Sequence, residues 1–468
     1  MVWNAELRRA QLIDFGIATR VSRELPAVLN RGLLEGTLAY MSPEQTGRTN
    51  HSLDYRTDLY SLGATLFHAA AGQRPFPGDD FMEIVHCHIA RQPPLLHELR
   101  PEIPPVVSRV VDRLLAKSPE DRYQSAYAAR IDFQRCLESL DETSRIDDFE
   151  IGQKDVSDRF AIPQRLYGRE EEIAALLGVF DRASLGSKEL ALVAGHAGVG
   201  KSALVRELYR PIVEKRGYFV SGKCDQLDNV PFACLIQACG ELIRQILTEP
   251  EREVANWKQR LLVALGPNGG VVVEVRPEVE RIIGEQAPLP ELPPIEAENR
   301  FNLTFERFLR AFSDPAHPLA IFLDDLQWAD NPTLKLVQRL MTDQETRYLL
   351  LIGAYRPNEV DALHPLELCL KDLAEAAALV QEIRLGPLEV DHVQALLADT
   401  LHCEVEDVGS LASVCREKTE GNPFFLGRFL LELHERAAFR FEAARARWTW
   451  SLREIQEMEV ASNVVELL

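Results

Sequence analysis

Apolar positions follow two different rhythms along the chain. In the first part they recur at helical spacing, which predicts helices over 53–71, 80–91, 105–117 and 125–140, divided by Gly/Pro turns such as the one at 73–78. Further on, short continuous apolar runs at 190–193, 218–220, 319–323 and 349–352 alternate with long helical patterns. Runs of that kind are what strands of a parallel sheet look like when both faces are covered. The first part is therefore expected to be mostly helical and the second α/β. An acidic, polar stretch at 138–159 carries too little apolar surface for a core element and reads as a linker. The Pro-rich segment 286–295 reads as a surface loop inside the second domain. Near the C-terminal end, Phe439-Arg440-Phe441 and Arg447-Trp448-Thr449-Trp450 flank a polar turn and predict a hairpin whose aromatic face packs into a core.

Composition narrows the possible functions. At 468 residues, 46% apolar and 26% charged, the chain is long enough for about three folded units and is neither fibrous nor disordered. Its 72 acidic against 52 basic side chains give a net charge of −20, a field that repels nucleic-acid backbones and anionic lipid. A nucleic-acid or membrane partner is therefore not expected. An anion such as a nucleotide would have to be captured locally, by aimed backbone amides or by a metal. The eight cysteines show neither C-x-x-C pairs nor zinc spacing, and His86-Cys87-His88 is a poor chelate on a helix. With no apolar run near the ~20 residues of a membrane span, the expected location is the cytoplasm.

One motif carries specific chemistry. Gly195-His196-Ala197-Gly198-Val199-Gly200-Lys201-Ser202 fits G-x-x-x-x-G-K-[ST] and lies between a strand-like run and a helical pattern, where a phosphate loop must lie. Gly195, Gly198 and Gly200 allow the backbone to turn its amides toward phosphates at the positive end of a helix. Lys201 would reach the β and γ phosphates of ATP, and the Ser202 hydroxyl would ligate Mg²⁺. A metal anchor is expected from a neighbouring strand, and the apolar run 319–323 ends in Asp324 and Asp325. Asp324 is the candidate for the Mg²⁺ shell and Asp325 for the general base toward water. Arg356, at the end of the run from Leu349, is the candidate sensor of the γ phosphate.

Together with Tyr167-Gly168-Arg169-Glu170, the segment FLDDLQWAD at 322–330 and Glu420-Gly421-Asn422-Pro423-Phe424-Phe425, this set resembles the AAA-like signalling ATPases of the STAND class over 166–468. The resemblance implies that Gly168, Arg169 and Pro423 close over the adenine and sugar. It also implies a conformational or assembly switch, including nucleotide-dependent self-association. The overall expectation is an α/β P-loop NTPase with a parallel sheet at 166–360, followed at 361–468 by a helical lid region with a small hairpin and the start of a C-terminal extension.

The first 140 residues carry a second ordered set: Leu12-Ile13-Asp14-Phe15-Gly16, Gly36-Thr37, Ser42-Pro43-Glu44, Asp58-Leu59-Tyr60-Ser61-Leu62-Gly63 and Ser118-Pro119-Glu120-Asp121-Arg122. In order and spacing it resembles the C-lobe of bacterial Ser/Thr protein kinases. The resemblance implies that Asp14 ligates Mg²⁺, Glu44 pairs with Arg122, and Asp58 is a buried helix aspartate that ties down a catalytic loop. Only thirteen residues precede Asp14, and neither a glycine-rich loop nor a catalytic-loop Asp is among them. The expectation is a partial lobe at 1–140, joined by an acidic linker at 141–165, in a piece of a larger sensory protein. That lobe should lack phosphoryl transfer and expose apolar surface near residue 55. ATP binding with slow hydrolysis is thus the leading function, joined to other signalling domains. Protein Ser/Thr phosphorylation and non-hydrolysing nucleotide binding are the alternatives.

Overall fold

The computed structural model describes residues 2–4, 9–11, 38–49, 51–78, 81–155, 159–226, 230–442 and 447–458. Asp14, the surrounding 12–16 motif and Thr37 lie outside the described residues. A short antiparallel pair, β1 (Val2–Asn4) and β2 (Arg9–Gln11), precedes the helices Arg56–Ala71, Phe81–Ala90, Pro105–Leu114 and Ala126–Thr143. Proline at the first position starts the third helix, and Ser125 caps the fourth by accepting from the Ala128 amide. The first and third helices pack so closely that a Cβ on Gly63 would stand 2.7 Å from Leu114 Cβ.

Beneath them lies a fully buried ion pair. Arg122 donates from Nη1 and Nη2 to the two Glu44 carboxylate oxygens at 2.7 and 2.8 Å, and Thr57 Oγ1 donates to Glu44 at 2.8 Å. The pairing implied for Glu44 and Arg122 is therefore present. Asp58 differs from expectation: it stands exposed in the first turn of its helix, outside the buried set of Leu59, Tyr60, Gly63 and Ala64. The apolar surface expected there is also small, since Leu59, Tyr60, Ala64 and Phe67 are buried and Leu53 is the exposed large apolar residue of the segment.

His88 is held neutral inside this region. Its Nδ1 faces the Tyr60 hydroxyl at 2.9 Å and its Nε2 faces the Leu38 carbonyl at 2.9 Å, so both ring nitrogens are engaged. Burial first, then the nearby Lys117 ammonium, push its pKa down to about 4, against the Leu38 hydrogen bond. Between the ordinary value of 6.5 and about 4 the unfolded chain takes up a proton that the folded one refuses. Stability is therefore expected to fall by roughly 3 kcal/mol as pH drops through that window. Denaturant titrations at several pH values should show this loss in the wild type and less of it in His88→Gln.

The polar stretch after this lobe is not free. The fourth helix continues to Thr143, and the following segment folds back. Asp155 accepts from Arg113 Nη2 at 2.7 Å and from the Gln124 amide at 2.9 Å, while the Gly152 amide donates to Asp132 at 2.7 Å. Hydrogen bonds to carboxylates hold it, and a count of apolar residues does not see these.

The second part is a five-stranded parallel sheet. Its strands are β3 (Lys188–Ala194), β4 (Tyr218–Lys223), β5 (Leu319–Asp324), β6 (Leu349–Tyr355) and β7 (Val380–Arg384), in the spatial order β4-β5-β6-β3-β7. Strand alternation splits each apolar run between two cores. Leu190, Leu192, Ile321, Leu323, Leu349 and Leu351 face the helices Ala233–Ile246, Pro294–Phe312 and Asn331–Thr342. Ala191, Val193, Ala320, Phe322, Leu350 and Ile352 face the helix Glu170–Ser184. β7 escapes prediction because it is an edge strand, Val-Gln-Glu-Ile-Arg, with Ile383 alone buried.

A third core unites Tyr167 with the helices Val390–Leu401, Gly409–Thr419 and Pro423–Glu435 and with the hairpin β8 (Phe439–Glu442) and β9 (Arg447–Trp450). Phe160 stacks on His434 and Phe439, with centroids at 4.6 and 5.4 Å, so the aromatic face serves packing.

Candidate functional site

The phosphate-loop segment begins where β3 ends. The Gly195 amide donates to the Tyr355 carbonyl at 3.2 Å, and the helix Lys201–Arg206 follows. Gly198 and Gly200 take φ of +75° and +102°, backbone that a side chain rarely adopts. A Cβ on Gly200 would meet no atom within 4 Å, so there is open space beside the turn at that position. The first amides of that helix have no partner within it.

Lys201 is buried (8% exposed), and its Nζ donates to the carbonyls of Gly195 at 2.9 Å and His196 at 3.1 Å. Burial first, then the Arg356 charge, lower its pKa, while Asp324, Asp325 and Glu359 act against that. Ser202 Oγ donates to Asp324 Oδ2 at 2.9 Å. The expectation of a neighbouring strand needs correcting, because β6 lies between β3 and β5. The two sites still meet because the loop after β3 arches over the end of β6, and all the strands are parallel. The Ser202 and Asp324 oxygens form the hard donor pair that suits Mg²⁺.

Asp325 turns away from Ser202. Its φ of +52° breaks the strand, and its carboxylate lies 3.5 Å from both Arg356 Nε and Lys223 Nζ and accepts from Gln327 Nε2 at 3.2 Å. Arg356 also bonds Glu359 at 3.0 Å and lies 5.1 Å over the Trp328 ring. Its Nε is buried without a hydrogen-bond partner among the described residues. The structure thus joins the candidate base and the candidate sensor in one cluster. Sequence reasoning missed Gln327, Lys223 and Glu359 as members of it. Gln327 and Trp328 follow the two acids one residue on, after Leu326, and Lys223 pairs in register with Asp324, which only the sheet reveals.

The lid closes on the loop itself. Asn422, which caps the helix Pro423–Glu435, donates from Nδ2 to the Ala197 carbonyl at 2.8 Å, and the Phe424 amide donates to the Gly198 carbonyl at 3.2 Å. A Cβ on Gly198 would stand 2.8 Å from Asn422 Oδ1. Pro423 therefore sits at the phosphate loop, and its neighbour Asn422 is a contact the motif did not single out. Gly168, with φ +60°, packs against the His392 ring, while Arg169 donates to the Gly386 carbonyl and lies 3.6 Å from Glu172. Both stand where the core meets the lid.

Residues 165–352 match the family described as AAA ATPase domain, and residues 3–133 match the protein kinase domain. The chain carries a protein kinase domain at its N-terminus followed by an AAA ATPase domain. Hybrid signal transduction histidine kinase G of Dictyostelium discoideum is 32% identical over 515 residues, covering 92% of this chain and 15% of that protein. Peroxide stress-activated histidine kinase mak3 of Schizosaccharomyces pombe is 21% identical over 509 residues, covering 90% and 21%. Serine/threonine-protein kinase PknB of Mycolicibacterium smegmatis is 34% identical over 128 residues, covering 27% and 20%. The chain thus spans between 15% and 21% of the length of these relatives. Their sources show that the similarity is not confined to bacteria. No helix among the described residues is long and apolar enough to cross a membrane.

Proposed function

We propose that this chain binds Mg-ATP at the phosphate loop and hydrolyses it slowly, as a STAND-type conformational switch within a larger signalling protein of the cytoplasm. The observation that carries this reading is the Ser202–Asp324 contact at 2.9 Å, with Lys201 buried beside it. Lys201 and the amides after Gly198 bind the β and γ phosphates; Ser202 and Asp324 hold Mg²⁺, which when bound neutralises charge on the phosphate oxygens. Asp325 accepts the proton of the attacking water, which requires Arg356 to release it and turn toward the γ phosphate. Gly168, Arg169 and Pro423 border the base and sugar at the lid, so nucleotide binding is coupled to lid position. The kinase-like lobe, other signalling modules and further copies of the chain are the partners of that movement.

Asp325→Asn separates this reading from a binding scaffold. Phosphate release should fall by about 10²-fold or more, the scale of a lost general base, with ATP affinity within a few-fold of wild type. Unchanged phosphate release in Asp325→Asn would remove the hydrolytic assignment.

A further inference from the structure

A cavity of about 510 Å³ lies where the kinase-like lobe meets the ATPase core. The two parts touch beside it through Val85 and Ile89, on the helix Phe81–Ala90, and Val213, on the short helix Tyr209–Glu214. Arg216 and Gly217 on its wall precede β4, and His317 precedes β5. The strands are parallel, so the cavity stands at the opposite end of the sheet from the phosphate loop. Its volume is that of a small-molecule site and exceeds what a single ion fills.

Three guanidiniums line it, each from a different segment. Arg48 follows the buried Glu44, Arg91 stands just past the helix Phe81–Ala90, and Arg216 occupies the turn before β4. None of the three makes an ion pair among the described residues, whereas Arg210, on the short helix, is paired with Glu214 at 3.0 Å. The acids of the same wall are already engaged. Glu249 is buried, and both its carboxylate oxygens are taken, one by the Tyr218 hydroxyl and one by the Trp257 indole at 3.0 Å. Glu253 accepts from Asn256 Nδ2 at 3.1 Å, and Glu83 is not free either. His317 Nδ1 donates to the Arg216 carbonyl at 3.0 Å and so holds the turn that carries Arg216.

The capacity left over in the cavity is therefore cationic. Burial holds the Arg48 guanidinium below its ordinary pKa against Tyr218, Glu249 and Tyr209, so its charge is incompletely offset. The planar fork of arginine matches oxyanions. Three forks from three segments suit a tetrahedral dianion, which offers three oxygens, better than a carboxylate, which offers two. Val85, Val213 and Pro250 give the same cavity an apolar wall for an organic body.

We propose that this cavity binds the phosphate monoester of a small metabolite, held by Arg48, Arg91 and Arg216. Two of these arginines belong to the lobe and one to the core, so the ligand fastens the two parts together. The site stands whether or not the phosphate loop hydrolyses ATP.

The test titrates inorganic phosphate into the whole chain at mildly alkaline pH and constant ionic strength, read by calorimetry. One saturable site is expected. It should persist in Lys201→Ala, which disables the phosphate loop, and weaken by about tenfold or more in Arg48→Ala and in Arg216→Ala. Arg216 is exposed, so its variant decides even if Arg48→Ala folds poorly. Glucose 6-phosphate should compete with inorganic phosphate for the site. Binding lost in Lys201→Ala but kept in both arginine variants would return the phosphate to the loop and overturn the proposal. So would tighter binding of succinate than of phosphate, failure of glucose 6-phosphate to compete, or no saturable binding at all.

Discussion

Lys201→Ala is expected to weaken Mg-ATP binding by roughly a hundredfold, measured by calorimetric titration, and to take phosphate release to background. The reason is local charge. The chain as a whole is strongly acidic, so its long-range field opposes a triphosphate. Capture then rests on the few groups aimed at the phosphates, and each charge-assisted hydrogen bond lost contributes about 1.5–3 kcal/mol, close to a hundredfold at the upper end. Lys201 is well placed to make such bonds, because its Nζ already lies among loop carbonyls and needs only to exchange them for phosphate oxygens. Global unfolding should move little, since the two carbonyl contacts lie at an open turn. Affinity within a few-fold of wild type would show that the glycine turn is not a phosphate site.

Arg122→Ala is expected to destabilise the kinase-like lobe by about 3–5 kcal/mol, read from denaturant midpoints. Glu44 is buried with its charge compensated by Arg122 and Thr57. Burial acts to raise its pKa, but the Arg122 hydrogen bonds and charge outweigh burial and hold it below 4.5. Removing the guanidinium leaves that carboxylate desolvated and unpaired. A double replacement, Glu44→Gln with Arg122→Met, removes both charges and should cost less than Arg122→Ala alone. The pair's own contribution in the wild type is present above the ordinary glutamate value and is lost as pH falls below it. A single variant no less stable than the wild type would mean that the lobe does not depend on this pair.

The four apolar runs of the second half became β3, β4, β5 and β6 because a strand buried on both faces leaves a continuous apolar signature. β7 left none, since an edge strand needs only one buried side chain to seat it. The segment after residue 143 read as a linker because its attachment is made by Asp155, Asp132 and Gly152, whose hydrogen bonds have no hydropathy. Asp58 stands exposed in the first turn of its helix, so its motif reading did not translate into burial.

The amino-acid order alone determined the phosphate-loop turn, the paired acids and the parallel α/β pattern, because each is written in neighbouring residues and in periodicity. Tertiary structure alone decided that β6 separates the loop strand from the acidic strand, that Asp325 turns toward Arg356, Lys223 and Gln327, and that Asn422 reaches the Ala197 carbonyl. Each of these contacts joins residues that a short-range pattern cannot relate. The order of strands in a sheet and the way a lid folds over it are set by packing across the whole domain.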